Sequence, residues 1–222
     1  MSRDLWANVD RYFESRLLRA DAGLDATLVA ADAAAVPAMN VSASQGQMLE
    51  LLARMVGARR ILEIGTLAGY SAIWMARALP AGGKLTTLER DAAYAQLAKK
   101  NIEAAGFADR IDIRIGAALD TLPQLEAEHA GPFDFFFIDA DKVNNARYVQ
   151  WALKLARPGS AIVVDNVIRN GAVIDANSAD ANVRGVRELN DLLAAEHERV
   201  TATAIQTVGL KGYDGFILAR VN

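Results

Sequence analysis

Two short apolar runs, Phe133–Ile138 and Ala161–Val164, each end in acid: Asp139-Ala140-Asp141-Lys142 follows the first and Asp165-Asn166 the second. Runs this short and this apolar predict buried parallel strands. Both polar clusters then emerge at strand carboxyl ends, the edge where open α/β sheets bind ligands. Asp139, Asp165 and Asn166 offer three hard oxygen donors, and Lys142 places an amine beside them. An all-oxygen set suits Mg²⁺ better than zinc, with Mn²⁺ or Ca²⁺ as other hard candidates. The plainer alternative is a pair of strand-to-helix turns capped by Asp and Asn. Either turn alone favours caps; the two together, after a glycine-rich first turn, favour a site.

That first turn leaves the strand Ile61-Leu62-Glu63-Ile64-Gly65 and runs Thr66-Leu67-Ala68-Gly69-Tyr70-Ser71 into a helix. Glycines at 65 and 69 let the backbone approach a ligand, and the helix start supplies free N–H donors. A dinucleotide site reads G-x-G-x-x-G, whereas this turn reads G-T-L-A-G with Glu63 just before it, a poor setting for pyrophosphate. A zwitterionic ligand bearing a sulfonium fits better, since its amino group can use an acid while its carboxylate uses N–H donors. The next strand ends Leu88-Glu89, where a carboxylate can accept hydrogen bonds from both hydroxyls of a ribose.

Other elements must hold these ends in place. The 222 residues, 52% hydrophobic, are ample for one large domain with a packed core. Strands are expected at Arg60–Ile64, Lys84–Leu88, Ile111–Ile115, Phe133–Ile138 and Ala161–Val164, and near Val200–Ile205 and Phe216–Arg220. Helices are expected at Ser71–Ala78, Asp91–Ala105, Thr121–Glu128, Asn144–Ala156 and Asn182–His197. Five βα units followed by a terminal strand pair predict a doubly wound α/β sheet with helices on both faces. Ahead of them, the alanine-rich Asp4–Ala34 reads as one or two amphipathic helices, and Pro37 stops that pattern. Ser44-Gln45-Gly46-Gln47 then opens another helix with a Ser-x-x-Gln capping box.

Composition excludes several chemistries. There is no cysteine, so disulfides, thiolate metal sites and cysteine nucleophiles are absent. The two histidines, His129 and His197, sit in polar helical contexts far from any strand end. The net charge of −3 argues against a broad nucleic-acid surface. No apolar stretch approaches the roughly 20 residues of a membrane span, and the N-terminus lacks a signal-peptide core. Cytoplasmic residence is expected.

Together the strings Leu62-Glu63-Ile64-Gly65-Thr66-Leu67-Ala68-Gly69-Tyr70-Ser71, Phe137-Ile138-Asp139-Ala140-Asp141-Lys142 and Arg157-Pro158-Gly159…Val163-Val164-Asp165-Asn166 resemble the cation-dependent O-methyltransferases. These are class I S-adenosylmethionine enzymes related to catechol and caffeoyl-CoA O-methyltransferases, here in their bacterial branch, and the similarity covers about residues 35–220. The resemblance implies a mostly parallel, seven-stranded Rossmann-like methyltransferase sheet with an antiparallel terminal strand. It implies one domain over 1–222, with residues 1–56 forming helices that cover the active site or a dimer interface. It makes Asp139, Asp165 and Asn166 the metal ligands and Lys142 the candidate base. Val41, Glu63, Gly65, Thr66, Ser71, Glu89, Ala118 and Asp141 fall where the family contacts S-adenosylmethionine, and Asn170 at a substrate-side position. Arg169 departs from the pattern, standing where many relatives carry an aromatic residue. The stretch Gly209–Gly215 looks longer than the link of some relatives.

The implied reaction is methyl transfer to a hydroxyl of a small catechol-type diol, with a divalent cation favouring the phenolate. Lys142 then takes the proton, or else only pairs with Asp139 or Asp141. A homodimer and no membrane partner are expected. The competing readings are methylation of a hydroxylated nucleoside in tRNA, a non-catalytic cofactor-binding module and an NAD-dependent dehydrogenase. The G-T-L-A-G turn disfavours the last, and the acidic balance of the chain disfavours the first.

Overall fold

The computed structural model describes residues 2–222. Three helices lead: α1 (Arg3–Leu17), α2 (Ala22–Ala33) and α3 (Ala43–Met55). Strands and helices then alternate as β1 (Arg60–Ile64), α4 (Tyr70–Ala76), β2 (Lys84–Glu89), α5 (Ala92–Ala104), β3 (Ile111–Ile115), α6 (Ala118–Ala127), β4 (Phe133–Ile138), α7 (Asn145–Leu155) and β5 (Ala156–Asp165). Helix α8 (Ala181–Ala195) and the strands β6 (Val200–Gly209) and β7 (Gly212–Val221) close the chain. The strand order is β3-β2-β1-β4-β5-β7-β6. The first five strands run parallel and β7 is antiparallel to both β5 and β6. The expected doubly wound sheet is therefore present. No helix among the described residues is long and apolar enough to cross a membrane.

Side-chain alternation divides the core between the two faces of the sheet. Ile61, Phe135, Phe137 and Val163 pack under α2–α5 with Leu24, Leu49, Trp74 and Ile102. Leu62, Phe136, Ile138, Ile162 and Val164 pack under α6–α8 with Leu125, Val149 and Leu189. Strand β4 is buried on both faces, which is why its sequence is apolar except at Asp134. At the edge opposite the site, Asp134 ties three strands together. Its Oδ2 accepts the backbone N–H groups of Arg59 and Arg60, and its Oδ1 accepts Nε of Arg157.

Two expectations need correcting. The capping box of α3 is Ser42-x-x-Gln45, not Ser44-x-x-Gln47: Ser42 Oγ accepts the Gln45 N–H and Gln45 Oε1 accepts the Ser42 N–H. Both boxes are present in the sequence, and the earlier one captures the helix start, leaving Ser44 within the first turn. The terminal strands also extend well beyond Val200–Ile205 and Phe216–Arg220. They pair from Val200↔Val221 to Gly209↔Gly212, and only Leu210-Lys211 turns between them. The apparent long link is hairpin.

Candidate functional site

All the strand ends singled out by the sequence open into one cleft of about 1030 Å³. It is lined by Val41, Gly65, Thr66, Ser71, Glu89, Ala118, Asp139, Asp141, Lys142, Asp165, Asn166 and Asn170. Of the thirteen residues singled out, only Glu63 stands outside the lining.

The β1 turn forms one wall. Gly65 adopts φ +97°, and a Cβ there would sit 2.2 Å from the Asp139 carbonyl oxygen, so only glycine lets the two strand ends meet. Glu89 organises the same turn: its Oε2 accepts the N–H groups of Thr66 (3.1 Å) and Leu67 (2.8 Å), and its Oε1 that of Asp91 (2.8 Å). A carboxylate offers about four acceptor positions, so part of its capacity remains for a ribose.

Glu63 is fully buried. Its Oε1 accepts the Ser71 hydroxyl and its Oε2 the Thr87 hydroxyl, each at 2.6 Å. Residues 61 and 63 share the face of β1 beneath α4, so the side chain points under the helix start. The cleft meets Ser71 instead, with the acid one side chain behind it. Glu63 therefore adjoins the cleft through the Ser71 hydroxyl. Burial, opposed by those two hydroxyls and helped by the charges of Asp139 and Glu89, pushes the Glu63 carboxyl up to about 8. The folded chain then holds a proton that the unfolded chain releases above about 4.5, so stability falls as pH rises from about 4.5 through about 8. Urea titrations at pH 5, 6.5 and 8.5 should show wild type losing stability relative to Glu63→Gln across that window. Parallel pH profiles for the two proteins would refute the assignment.

The ends of β4 and β5 carry the acids. Lys142 is buried and its Nζ lies 2.8 Å from Asp139 Oδ1. The structure therefore contains an ion pair with Asp139. Asp141 is held from two sides, its Oδ1 accepting the Tyr148 hydroxyl (2.5 Å) and its Oδ2 the Asn144 amide. Burial and then the adjacent Asp141 charge raise the Tyr148 phenol above its ordinary value. Asp165 is buried, and its Oδ1 accepts the Asn166 N–H at 2.8 Å. Burial first, and then the negative charge of Asp139, hold the Asp165 carboxyl well above the usual carboxylate range.

Among the described residues no three His, Cys, Asp or Glu side chains are grouped to hold a metal. The candidate set supplies two carboxylates and one amide. A buried Asp165 facing the negative charge of Asp139 is the electrostatic setting that a bound cation relieves, and the donor chemistry fits a hard divalent ion. Both histidines are exposed and outside the cleft, as expected.

Several supporting residues were not legible in the sequence. Asp214 Oδ1 accepts the N–H groups of Ile168, Arg169 and Gly215, holding the turn that follows Asn166. That turn needs the help: Asn166, Arg169, Asn170 and Gly171 all have positive φ. At the cleft mouth, Asp10 of α1 accepts the Leu210 N–H and Lys211 donates to the Ala38 carbonyl, joining the hairpin tip to the N-terminal segment.

Gly185 of α8 packs directly on the Lys142 turn, where a Cβ would come within 2.3 Å of the Lys142 carbonyl oxygen. Helix propensity favours alanine by about 1 kcal/mol, but overpacking against backbone costs about 1–3 kcal/mol. Gly185→Ala is expected to lower the urea midpoint and displace Lys142, cutting activity. A more stable variant with full activity would show that the contact gives way freely.

Residues 24–221 match the family model described as O-methyltransferase. The chain is 51% identical to a catechol O-methyltransferase of Niastella koreensis, with 100% of each covered. It is also 51% identical to a catechol O-methyltransferase of Mycobacterium tuberculosis, over 96% of this chain and 95% of that protein. Among solved structures, an O-methyltransferase from Bacillus cereus in complex with SAH matches at TM-score 0.98 and 52% identity, with 100% of both chains covered. The O-methyltransferase TomG from Streptomyces achromogenes, in complex with SAM, matches at TM-score 0.97 and 49% identity, covering 100% of this chain and 99% of that one.

Proposed function

We propose that this chain, which belongs to the O-methyltransferase family, transfers the methyl group of S-adenosylmethionine to a hydroxyl of a small catechol-type acceptor with the help of a divalent cation, most simply Mg²⁺. One observation carries the reading: the Glu89-organised turn and the Asp139, Lys142, Asp165 and Asn166 cluster line a single cleft. The names of the relatives and the ligands of the solved neighbours support both donor and acceptor.

Asp139, Asp165 and Asn166 would hold the cation, which when bound favours ionisation of a vicinal diol. Lys142 receives the acceptor proton. Glu89 binds the ribose, Ser71 and the N–H groups after Gly65 face the amino-acid end of the donor, and Val41, Thr66, Ala118 and Asp141 complete its pocket. Asn170 lies on the acceptor side. Residues 1–56 belong to the same domain as a cover over the cleft, consistent with the Asp10 and Ala38 contacts.

The test is an acceptor screen with labelled S-adenosylmethionine, catechols and total tRNA, with and without Mg²⁺. Label is expected in catechols only, and only with metal. Label in tRNA alone would overturn the acceptor class.

The exposed face of α1, with Leu5, Val9, Tyr12, Phe13 and Leu17, supports a homodimer built on that helix. Light scattering at micromolar concentration should then give about twice the 23.9 kDa chain mass. A monomer mass would count against it.

A further inference from the structure

We infer that the acceptor carries a carboxylate on the side away from its diol, and that Arg169 with Lys211 at the cleft mouth reads it; this rests on the diol O-methylation proposed above. Arg169 lines the cleft and its side chain is 29% exposed. Its guanidinium makes no hydrogen bond to any described residue. Nε is buried without a partner, and the nearest acid, Asp214 Oδ2, is 4.0 Å from Nη1. Asp214 gives Arg169 a long ion pair through Oδ2 but no hydrogen bond, its Oδ1 being held by three backbone N–H groups.

A half-buried guanidinium is costly to leave without hydrogen bonds, and its planar fork matches a carboxylate better than it matches any neutral group. Its placement is enforced: Arg169 sits at φ +55°, in a turn held by Asp214, a conformation that side chains other than glycine rarely adopt. Lys211 lines the same cleft from the hairpin tip. Its only hydrogen-bond partner among the described residues is the Ala38 carbonyl, so it too makes no hydrogen bond to a carboxylate. Asp10 is the counterweight at this end, and its Oδ2 is taken up by the Leu210 N–H. Two cations without carboxylate hydrogen bonds therefore stand at the mouth, while the diol chemistry belongs to the acids at the floor. A neutral catechol uses only the floor. A catechol acid uses both.

The experiment compares 3,4-dihydroxybenzoate, catechol and 3,4-dihydroxybenzylamine as acceptors for wild type, Arg169→Gln, Arg169→Lys and Lys211→Met. Wild type should favour the acid. Arg169→Gln should lower the ratio of kcat/KM for acid over catechol by about tenfold to a hundredfold, the range of a charge-assisted hydrogen bond, mainly through KM. Arg169→Lys should retain part of the preference and Lys211→Met should lose a smaller part. Calorimetry of 3,4-dihydroxybenzoate on protein saturated with S-adenosylhomocysteine separates this inference from the reaction itself. Weaker binding in Arg169→Gln supports it even if no diol is methylated, a result that would overturn only the diol reading. A wild-type preference for the amine, an unmoved ratio in Arg169→Gln, or binding that is absent or independent of Arg169 would overturn it.

Discussion

Asp165→Asn should abolish methylation of a catechol while leaving S-adenosylhomocysteine binding within a few-fold of wild type. Excess chelator should do the same to the unaltered protein. The asparagine keeps the size of the side chain and an oxygen for the Asn166 N–H, so the turn survives. What disappears is one of the two carboxylates. Metal assistance in such reactions amounts to several kcal/mol, so the rate should fall by about 10²–10⁴-fold. Stability should move in the opposite direction. Asp165 is buried against the charge of Asp139, which costs free energy when no cation lies between them. Relieving that repulsion should raise the melting temperature of the metal-free variant above that of metal-free wild type, the trade expected where a site is strained for function. Calorimetry, a rate assay and a melting curve on the same preparations decide it. Full turnover in chelator, or in Asp165→Asn, would mean that Asp139, Asp165 and Asn166 cap turns and nothing more.

How far the sequence alone carries depends on how each element is buried. Strands β1, β3 and β4 were read with their observed ends, and β4 shows why: both of its faces are covered, so every residue from Phe133 to Ile138 is apolar or, at Asp134, tied to backbone. Strand β6 has neither face well covered, so no alternation marks it, and glycines at 209 and 212 made its hairpin look like a loop. The acids that line the cleft were legible because strand ends announce themselves by an abrupt change from apolar to acidic. Depth was not legible. Glu63 and Ser71 are adjacent to the same turn, yet only the fold decides that the serine faces the cleft and the acid supports it. Nor does any local pattern point to Asp214, which serves the turn after Asn166 from the hairpin strand β7, or to Gly185, whose missing side chain makes room for the Lys142 turn.

Lys142→Met should cut the rate with catechol at neutral pH by about 10²-fold or more, the usual range for general acid–base catalysis. Two roles compete for this residue. Its Nζ is 2.8 Å from Asp139 Oδ1 and the side chain is buried, so it is an ion-pair partner in the structure as it stands. An amine in that position also lines the cleft beside Asp165 and Asn166, where an acceptor hydroxyl must shed its proton. The two roles respond differently to the acceptor. If Lys142 takes the proton, a nitrocatechol that is already ionised at neutral pH needs no base, and the penalty of Lys142→Met should shrink toward unity. The penalty with catechol should likewise shrink as pH rises. If Lys142 only neutralises Asp139, the mutation leaves a partly buried carboxylate without its partner whatever the acceptor. The loss is then equal for catechol and nitrocatechol, and the melting temperature falls with it. Rates for both acceptors across pH, with melting curves alongside, therefore assign the residue, and a loss independent of acceptor acidity would remove the proton from its account.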